Sequence, residues 1–332
     1  MRAPLPHALR NLRVPVIGAP LFIISVPALV IAQCKAGVVG SFPALNARTP
    51  AQLDEWLHEI TEALAAHDRA HPNRKAAPFA INQIVHKTNT RLELDLAAAV
   101  KWRAPITISS LGARADVNQA MHGVGGIVLH DVINDTHARK AIDKGADGLV
   151  AVAAGAGGHA GSKSPFALLQ EIRAWFTGPL ALSGAIATGR AVLAAQAAGA
   201  DFAYVGSAFI ATHEARAAEG YKAAVVEGNS DSIIGSALFT GVYGNYLRGS
   251  VAAAGLDPDA LPAAKGAAMD VFGAAAAGGA QSAKAWKDIW GCGQGIGAVR
   301  AVVGAAQLVD RLAEEYGAAR EEVVGGVRRA AE

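Results

Sequence analysis

The sequence predicts an α/β protein, a (β/α)8 TIM barrel with a mostly helical C-terminal cap insertion. Eight short apolar runs alternate with helical patterns, at spacings of roughly 20 to 40 residues. The runs are apolar throughout, which is typical of parallel strands covered on both faces. No Asn-Gly turn joins consecutive runs as it would in a hairpin. Eight parallel units is the number that closes a barrel, and a doubly wound open sheet is the alternative.

The elements follow in order along the chain. Thr49 and Pro50 are the cap and first residue of a long helix, and Ser25 and Ser164 are expected to cap two others before Pro27 and Pro165. The predicted strands are residues 14–17, 37–41, 78–85, 105–110, 126–130, 149–154, 179–183 and 201–205. The predicted helices between them are residues 27–35, 46–69, 92–100, 115–122, 135–144, 164 onward and 189–198.

After the eighth strand the βα rhythm stops. We therefore expect three parts: a barrel over residues 1–220, a helical cap or substrate subdomain over 221–291, and a returning segment with a C-terminal helix over 292–332. Residues 299–316 form an amphipathic pattern with Val302 and Val303 on its apolar side. Phe272, Trp286 and Trp290 are interpreted as the core of the cap.

Composition excludes several classes of protein. The 332 residues carry a formal net charge of +2 and no cluster of Lys and Arg, which argues against a nucleic-acid partner. The two cysteines, Cys34 and Cys292, are far apart and form no CxxC pattern, so neither a zinc site nor a disulfide scaffold is expected. We expect no metal, a cytoplasmic location, and a monomer or homodimer.

One stretch competes with that interpretation. Residues 14–32 carry no charge and follow Arg10 and Arg13, as a signal anchor would. Three prolines and Gly18 interrupt the stretch, however, and a membrane-spanning helix needs its main-chain hydrogen bonds satisfied internally. We therefore expect a strand, a loop and a helix here, and no membrane association.

The most informative stretch is residues 147–161, D-G-L-V-A-V-A-A-G-A-G-G-H-A-G. A buried strand runs into a glycine-rich loop that presents one titratable side chain, His159. Active sites of these barrels lie at the carboxyl ends of the strands, and imidazole titrates near neutrality. His159 is therefore the candidate general base, the alternative being a loop histidine that caps a carbonyl group.

The loops after the seventh and eighth strands predict a phosphate site. They are residues 183–189, S-G-A-I-A-T-G, and 205–208, V-G-S-A. Small residues let main-chain N–H groups approach phosphate oxygens, Ser183 and Ser207 add hydroxyls, and a helix N-terminus adds a favourable dipole. The match of Gly155–Ala160 to a dinucleotide fingerprint is interpreted as accidental, because no acidic residue ends the next strand.

Other polar residues are expected near the barrel mouth. Asn82 on the third strand is a candidate for holding the polar edge of a heterocycle, and Gln294 is a possible ligand contact where the chain returns from the cap. The remaining candidates near the mouth are His86, Lys87 and Asn89, which follow the third strand, and His130 and Asp131, which end the fifth. Solvated loop polarity is the alternative interpretation, and it is preferred for His86 and Lys87.

With these residues in view, the chain resembles the nitronate monooxygenase family, formerly called 2-nitropropane dioxygenases, which are FMN enzymes on a (β/α)8 barrel. The resemblance covers nearly the whole chain, and the G-G-H-x-G element of residues 157–161 is its most specific part. The other shared motifs are G-A-P (18–20), A-I-N (80–82), L-S-G-A-I-A-T-G (182–189), A-Y-V-G-S-A-F (203–209) and W-G-C-G-Q-G-I-G (290–297).

The resemblance implies roles for individual residues. His159 would take the proton α to the nitro group of a small nitronate or nitroalkane, or steady the nitronate anion. Electrons would pass to the flavin, and dioxygen would complete oxidation to a carbonyl compound and nitrite. The implied FMN contacts are Ala19, Pro20, Leu21, Asn82, Gly157, Gly158, Ser183, Gly184, Ala185, Val205, Gly206, Ser207 and Gln294.

Three departures from the family pattern bear on the substrate. Some relatives carry lysine where this chain has Asp131, many have Gly-Gly in place of Gly184-Ala185, and the position of Tyr204 is often glutamine. The closest alternative is an FMN-dependent NAD(P)H reductase of an enoyl thioester or a quinone. A flavin-free phosphosugar isomerase or aldolase, and a non-enzymatic flavin-binding scaffold, are the further alternatives.

Overall fold

The computed structural model describes residues 2–262 and 287–331. Parallel strands alternate with helices through the first two thirds of the chain, as predicted. The elements are β1 (Val16–Gly18), α1 (Pro27–Ala36), β2 (Gly40–Pro43), α2 (Pro50–Ala70), β3 (Phe79–Ile84), α3 (Leu92–Lys101), β4 (Ile106–Ser110), α4 (Ala115–His122), β5 (Ile127–Val132), α5 (Asp135–Asp143), β6 (Gly148–Val152), β7 (Gly158–His159), α6 (Pro165–Arg173), β8 (Leu180–Ser183), α7 (Gly189–Ala197), β9 (Phe202–Val205), α8 (Ser207–Ile210), α9 (Glu219–Glu227), β10 (Ile233–Ser236), β11 (Gly244–Leu247), α10 (Arg248–Ala253) and α11 (Ala305–Ala331).

Eight strands form a single parallel sheet in the order β1-β9-β8-β6-β5-β4-β3-β2. A parallel bridge between Ile17 of β1 and Val39, the residue before β2, joins the two end strands of the sheet. The N–H of Gly18 donates to the Val39 carbonyl at 2.7 Å across the same seam. The sheet therefore closes into a ring, which confirms the predicted barrel and excludes the open sheet.

The barrel interior is a packed apolar core. Alternate residues of the strands point inward and form one buried cluster, because side chains in a strand alternate between its two faces. Leu9, in a short N-terminal turn, joins this cluster with residues such as Ile106 and Phe202, which lie at the starts of their strands. The apolar core thus includes the amino-terminal side of the ring.

The chain after β9 contains a small antiparallel sheet that the sequence analysis did not predict. β10 pairs with β11, and β11 pairs with the two-residue strand β7 in the loop after β6. A separate apolar cluster that includes Phe239 and Tyr246 supports the hairpin, next to α10. Helix α9 spans the predicted boundary between residues 220 and 221, and the three-part division stays a prediction. Gly273–Gly279, Phe272 and Trp286 lie outside the described residues.

Three helix starts differ from prediction. Val302 and Val303 precede the C-terminal helix, which begins at Ala305 and runs to Ala331. The main chain of Val303 pairs with Thr212 as an isolated parallel bridge, and this pairing holds the segment extended. Ser25 does not cap α1, since its Oγ accepts a hydrogen bond from the Leu21 N–H at 2.9 Å. Ser164 precedes α6 but makes no capping hydrogen bond.

The uncharged stretch of residues 14–32 divides as expected into β1, a loop and the first part of α1. Within residues 2–262 and 287–331, no helix combines the length and the apolar character needed to cross a membrane.

Candidate active site

A cavity of about 240 Å³ opens at the carboxyl ends of the barrel strands. The loops after β1, β6, β8 and β9 line it, together with side chains that end β3, β4 and β5. Twelve of the fourteen residues predicted for the site lie on its wall. They are Ala19, Pro20, Leu21, Asn82, Gly157, Gly158, His159, Ser183, Gly184, Ala185, Gly206 and Ser207.

His159 is held at the cavity by the small antiparallel sheet. It is paired with Gly244 of β11, and its neighbour Gly158 is paired with Asn245. The Asn245 side chain donates to the Ala156 carbonyl at 2.7 Å, which fixes the loop on both sides of the pair. A Cβ at Gly244 would lie 2.8 Å from the Gly158 carbonyl oxygen, so the close approach of the two strands requires glycine there.

The imidazole of His159 contacts Thr240, a buried residue between β10 and β11. Its Nε2 lies 3.0 Å from the Thr240 Oγ1, and that hydroxyl lies 3.2 Å from the Val242 carbonyl oxygen. Burial lowers the pKa of His159 from 6.5 to about 4, because an imidazolium loses hydration away from water. The imidazole is therefore neutral at physiological pH and able to accept a proton.

The loops after β8 and β9 present unpaired main-chain donors to the cavity. Gly184 and Ala185 have positive φ angles of 143° and 55°, so the chain turns sharply there. The N–H groups of Gly184, Gly206 and Ser207 donate none of the main-chain hydrogen bonds found among the described residues. Unpaired N–H groups in a concave turn form an anion site, which is the geometry a phosphate requires.

The structure differs from the predicted phosphate site in two details. Val205 is fully buried and lies behind the cavity wall, where its carbonyl accepts from the Ala19 N–H at 2.8 Å. The N-terminus of α7 is satisfied within the protein, since Gly189 N donates to the Glu315 Oε2 of α11 at 2.7 Å. The helix that begins at the cavity is therefore the short α8, with Ser207 as its first residue.

The loop after β1 is fixed by Asn46. The Asn46 amide donates to the carbonyl groups of Leu21 and Ser25 at 3.0 and 2.8 Å, and its oxygen accepts from the Ile23 N–H at 2.7 Å. Because all three bonds are to main chain, they set the path of the loop. Ala19, Pro20 and Leu21 are thereby placed along one side of the cavity.

The opposite wall carries a polar chain across three neighbouring strands. Asn82 Nδ2 donates to the Ile108 carbonyl at 2.9 Å and to the Ser110 Oγ at 2.7 Å. Ser110 in turn hydrogen-bonds Asp131 at the end of β5. Burial raises the pKa of Tyr204, and the nearby Asp131 charge raises it further. The sequence singled out Asn82 and Asp131, but it did not place Ser110 between them.

The segment returning from the cap closes the cavity with glycines rather than with Gln294. Gly291, Gly293 and Gly295 line the cavity, whereas the Gln294 side chain is exposed and its N–H donates to the Gly155 carbonyl at 2.9 Å. A Cβ at Gly157 would lie 2.7 Å from the Gly293 nitrogen, so the two glycine-rich segments are in direct contact. The Gln294 side chain thus lies outside the cavity wall, although its Oε1 and the Ala185 Cβ lie 3.1 and 3.2 Å from the position that a Cβ would take at Gly155.

Some polar candidates lie outside the cavity wall, and the sequence analysis did not single out several residues of the site. His86, Lys87, Asn89 and His130 are not part of the cavity wall, although Asp131 is. Trp290 stacks on Tyr221 at 4.8 Å, as expected of a core residue. Ser110, Leu111, Thr240 and Tyr221 belong to the site or contact His159, and the sequence analysis named none of them. A serine at the end of the fourth strand was a usable signal for Ser110, but Thr240 lies in a turn without one.

Among residues 2–262 and 287–331, no three His, Cys, Asp or Glu side chains are grouped closely enough to hold a metal ion. Cys34 and Cys292 are buried free thiols, and burial raises the pKa of each to about 12. Neither cysteine is therefore a thiolate at neutral pH.

The sequence as a whole matches a family model described as nitronate monooxygenase, over residues 5–315. The chain belongs to this family. As a nitronate monooxygenase family member it is an oxidoreductase. A curated relative, the nitronate monooxygenase of Paraburkholderia phytofirmans, is 28% identical over 278 residues, which are 74% of this chain and 76% of the relative.

Solved structures show the same fold. Nitroalkane oxidase from Streptomyces ansochromogenes superposes with a TM-score of 0.77 at 22% identity, covering 96% of this family member and 100% of that chain. FabK from Thermotoga maritima superposes with a TM-score of 0.74 at 20% identity, covering 96% of this chain and 97% of that chain. At these identities the likeness establishes the barrel, and the chemistry has to be argued from the site.

Proposed function

We propose that this protein binds FMN and oxidises small alkyl nitronates with dioxygen, giving a carbonyl compound and nitrite. One observation carries the proposal: a single cavity joins the half-buried imidazole of His159 to loops with unpaired main-chain N–H groups. The first group suits proton transfer, and the second suits a phosphate. Family membership is consistent with both.

The residues present fit FMN. The N–H groups of Gly184, Gly206 and Ser207, with the hydroxyl groups of Ser183 and Ser207, would hold the phosphate. A Cβ at Gly206 would meet only ordinary contacts, 3.4 and 3.5 Å from Leu21 and Ala19 side-chain atoms. The glycine thus leaves room between these two walls for a bound group. When bound, FMN supplies the two-electron redox chemistry and the reaction with dioxygen.

His159 would act on the substrate as a neutral imidazole. Thr240 holds the ring through Nε2, 3.0 Å from its hydroxyl oxygen. A nitroalkane would lose the proton on the carbon next to its nitro group to this imidazole. A nitronate that has already lost that proton would need only to be oriented by it. His159 would therefore matter more for a nitroalkane than for a preformed nitronate.

The test mixes purified, FMN-loaded protein anaerobically with a primary nitronate, and separately with NADH. We expect the nitronate to bleach the flavin absorbance and NADH to leave it unchanged. Bleaching by NADH alone would instead identify the reductase of an enoyl thioester or a quinone. A protein that remains colourless after incubation with FMN would reject both functions.

The role of His159 needs its own variant. His159→Ala is expected to bind FMN as tightly as the wild type and to lose turnover of a nitroalkane. His86→Ala is the matched control, because His86 lies outside the cavity wall and bonds locally to Thr88 at 2.9 Å. Unchanged turnover in His159→Ala would remove the imidazole from the mechanism.

A further inference from the structure

The cavity wall contains no lysine or arginine among the described residues. The ionisable side chains on it are Asp131, His159, Tyr204 and Tyr221. A phosphate monoester carries a charge of about −1.5 to −2 at pH 7. Burying such a charge is costly unless a positive group lies near it. A cation close behind the wall would therefore add to the affinity for a phosphate.

Arg311, on the C-terminal helix α11, lies directly behind the loop after β8. Its Nη2 donates to the Ala187 carbonyl at 3.2 Å, and its Nη1 donates to the Ala298 carbonyl at 3.3 Å. Ala187 lines the cavity and is buried in the same apolar cluster as Leu312 of α11. Ala187 therefore contacts the cavity on one side and the guanidinium group on the other.

The hydrogen bond from Arg311 also fixes the direction of the next peptide group. In a planar trans peptide the C=O and N–H groups point in opposite directions. Since the Ala187 carbonyl points to α11, the N–H of Thr188 points away from that helix. This N–H donates none of the main-chain hydrogen bonds found among the described residues. It is therefore available to a ligand, as the N–H of Gly184 is.

Glu315, one turn later on α11, places a negative charge beside the same loop. Its Oε2 accepts the Gly189 N–H at 2.7 Å, and its Oε1 lies 3.5 Å from the Arg311 Nη1. The Arg311 and Glu315 side chains are 36% and 34% exposed, so solvent screens their charges only in part. The two side chains should therefore act on a bound phosphate in opposite directions.

We propose that Arg311 is a positioning residue of the phosphate site. It orients the peptide group between Ala187 and Thr188 so that the N–H faces the phosphate, and its charge offsets that of the phosphate from behind the loop. This role rests on the proposed FMN binding. It concerns the phosphate group and not the flavin ring, because none of the described residues of α11 lines the cavity.

The experiment measures the dissociation constants of FMN and riboflavin by flavin fluorescence, at one pH and low ionic strength. Riboflavin carries the same ring without the phosphate, so it reports on everything except the phosphate site. The proteins compared are the wild type, Arg311→Met, Arg311→Lys, Glu315→Gln and Arg320→Met. Arg320 is an exposed arginine later on α11 and is the matched control.

We expect Arg311→Met to weaken FMN binding about tenfold or more, because a full charge and an oriented N–H are lost. Its riboflavin constant should stay within about twofold of the wild-type value, since riboflavin offers no charge to the guanidinium group. Arg311→Lys keeps the charge and a donor, and should lose no more than about threefold in FMN affinity. Arg320→Met should match the wild type for both ligands.

Glu315→Gln is expected to act in the opposite direction. It removes the negative charge and keeps an oxygen that can accept the Gly189 N–H. FMN should therefore bind about threefold more tightly, with riboflavin unchanged. This variant keeps the test decisive if Arg311→Met does not fold, because the loss of a structural contact would weaken binding rather than strengthen it.

Unchanged FMN affinity in Arg311→Met, or equal losses of FMN and riboflavin affinity, would overturn the proposed role of Arg311. A loss in Arg311→Lys as large as that in Arg311→Met would contradict the role of its charge. Unchanged or weaker FMN binding by Glu315→Gln would do the same. The wild type still binds FMN in all of these cases, so the proposed function would stand. A wild type that binds no FMN would reject the proposed function and this role with it.

Discussion

The Nε2 atom of His159 lies 3.0 Å from the hydroxyl oxygen of Thr240, a residue 81 positions later in the chain. The Thr240 hydroxyl also lies 3.2 Å from the Val242 carbonyl oxygen, to which it can only donate. The same oxygen also lies 3.4 Å from the Val242 nitrogen, whose N–H it accepts. The turn between β10 and β11 thus holds the Thr240 hydroxyl group, and this hydroxyl group positions the imidazole of the candidate base.

Replacing Thr240 by valine should lower kcat for a nitroalkane by roughly tenfold or more, because the imidazole loses the hydrogen-bond partner that orients its ring. FMN affinity should be unchanged. Thr240→Ser keeps the hydroxyl group and should retain most of the activity. The measurement is steady-state turnover of a nitroalkane beside that of its preformed nitronate. Equal losses for Thr240→Val and Thr240→Ser would show that the methyl group, and hence packing, is what matters.

His159 should also make stability depend on pH. Its pKa is about 4 when folded and 6.5 in an unfolded chain, so between these values the unfolded state binds a proton that the folded state does not. Above pH 6.5 the imidazole is neutral in both states, so it has no effect on the free energy of unfolding. As pH falls below 6.5 the unfolded state is stabilised by protonation and the free energy of unfolding decreases. The decrease is complete below about pH 4 and amounts to up to about 3 kcal/mol.

The test compares urea unfolding of the apoprotein with that of His159→Gln over that range of pH. The wild type should lose more stability than the variant on acidification. His137→Gln, at an exposed position on α5, is the control and should parallel the wild type. Parallel curves for the wild type and His159→Gln would contradict the buried neutral imidazole.

The sequence predicts the ring of strands well because each strand is a short, mostly apolar run bounded by turn residues. It also places His159, Ser183 and Gly206 at the cavity, since the carboxyl ends of parallel strands share one edge. The hairpin of β10 and β11 was missed because its strands are short. Gly235 and Gly244 interrupt them, so they show no continuous apolar pattern. Thr240 was missed with it, as its importance arises from a contact across 81 residues.

Ala185 occupies a left-handed conformation, with φ of 55°, in the loop after β8. A residue with a Cβ pays about 1 kcal/mol there, which glycine avoids. Ala185→Gly should therefore stabilise the protein by up to about 1 kcal/mol, despite the greater freedom of glycine in the unfolded chain. Ala194→Gly, at an exposed position of α7, should instead destabilise it by about 1 kcal/mol. The urea concentrations at the unfolding midpoints of the apoproteins measure the stability of both variants. A lower midpoint for Ala185→Gly than for the wild type would show that the left-handed conformation of Ala185 is not a source of strain.

Gly189 lets α7 pack directly on the C-terminal helix α11. A Cβ at this position would overlap the Leu312 carbonyl oxygen and the Tyr316 nitrogen, and it would lie 2.7 Å from the Glu315 Cβ. Gly189→Ala would separate the two helices and disturb the hydrogen bond from Gly189 N to Glu315. We expect it to lower the free energy of unfolding by about 3 kcal/mol.

Gly317, on the same C-terminal helix, is the control for this substitution, since a Cβ there meets no atom within 4 Å. Gly317→Ala should stabilise the protein by about 1 kcal/mol, because alanine is the better helix former. Urea unfolding at one fixed FMN concentration measures both variants, so that cofactor binding shifts them equally. If Gly189→Ala unfolds at the wild-type urea concentration, α11 is not in close contact with α7, and the packing described for this side of the barrel is incorrect.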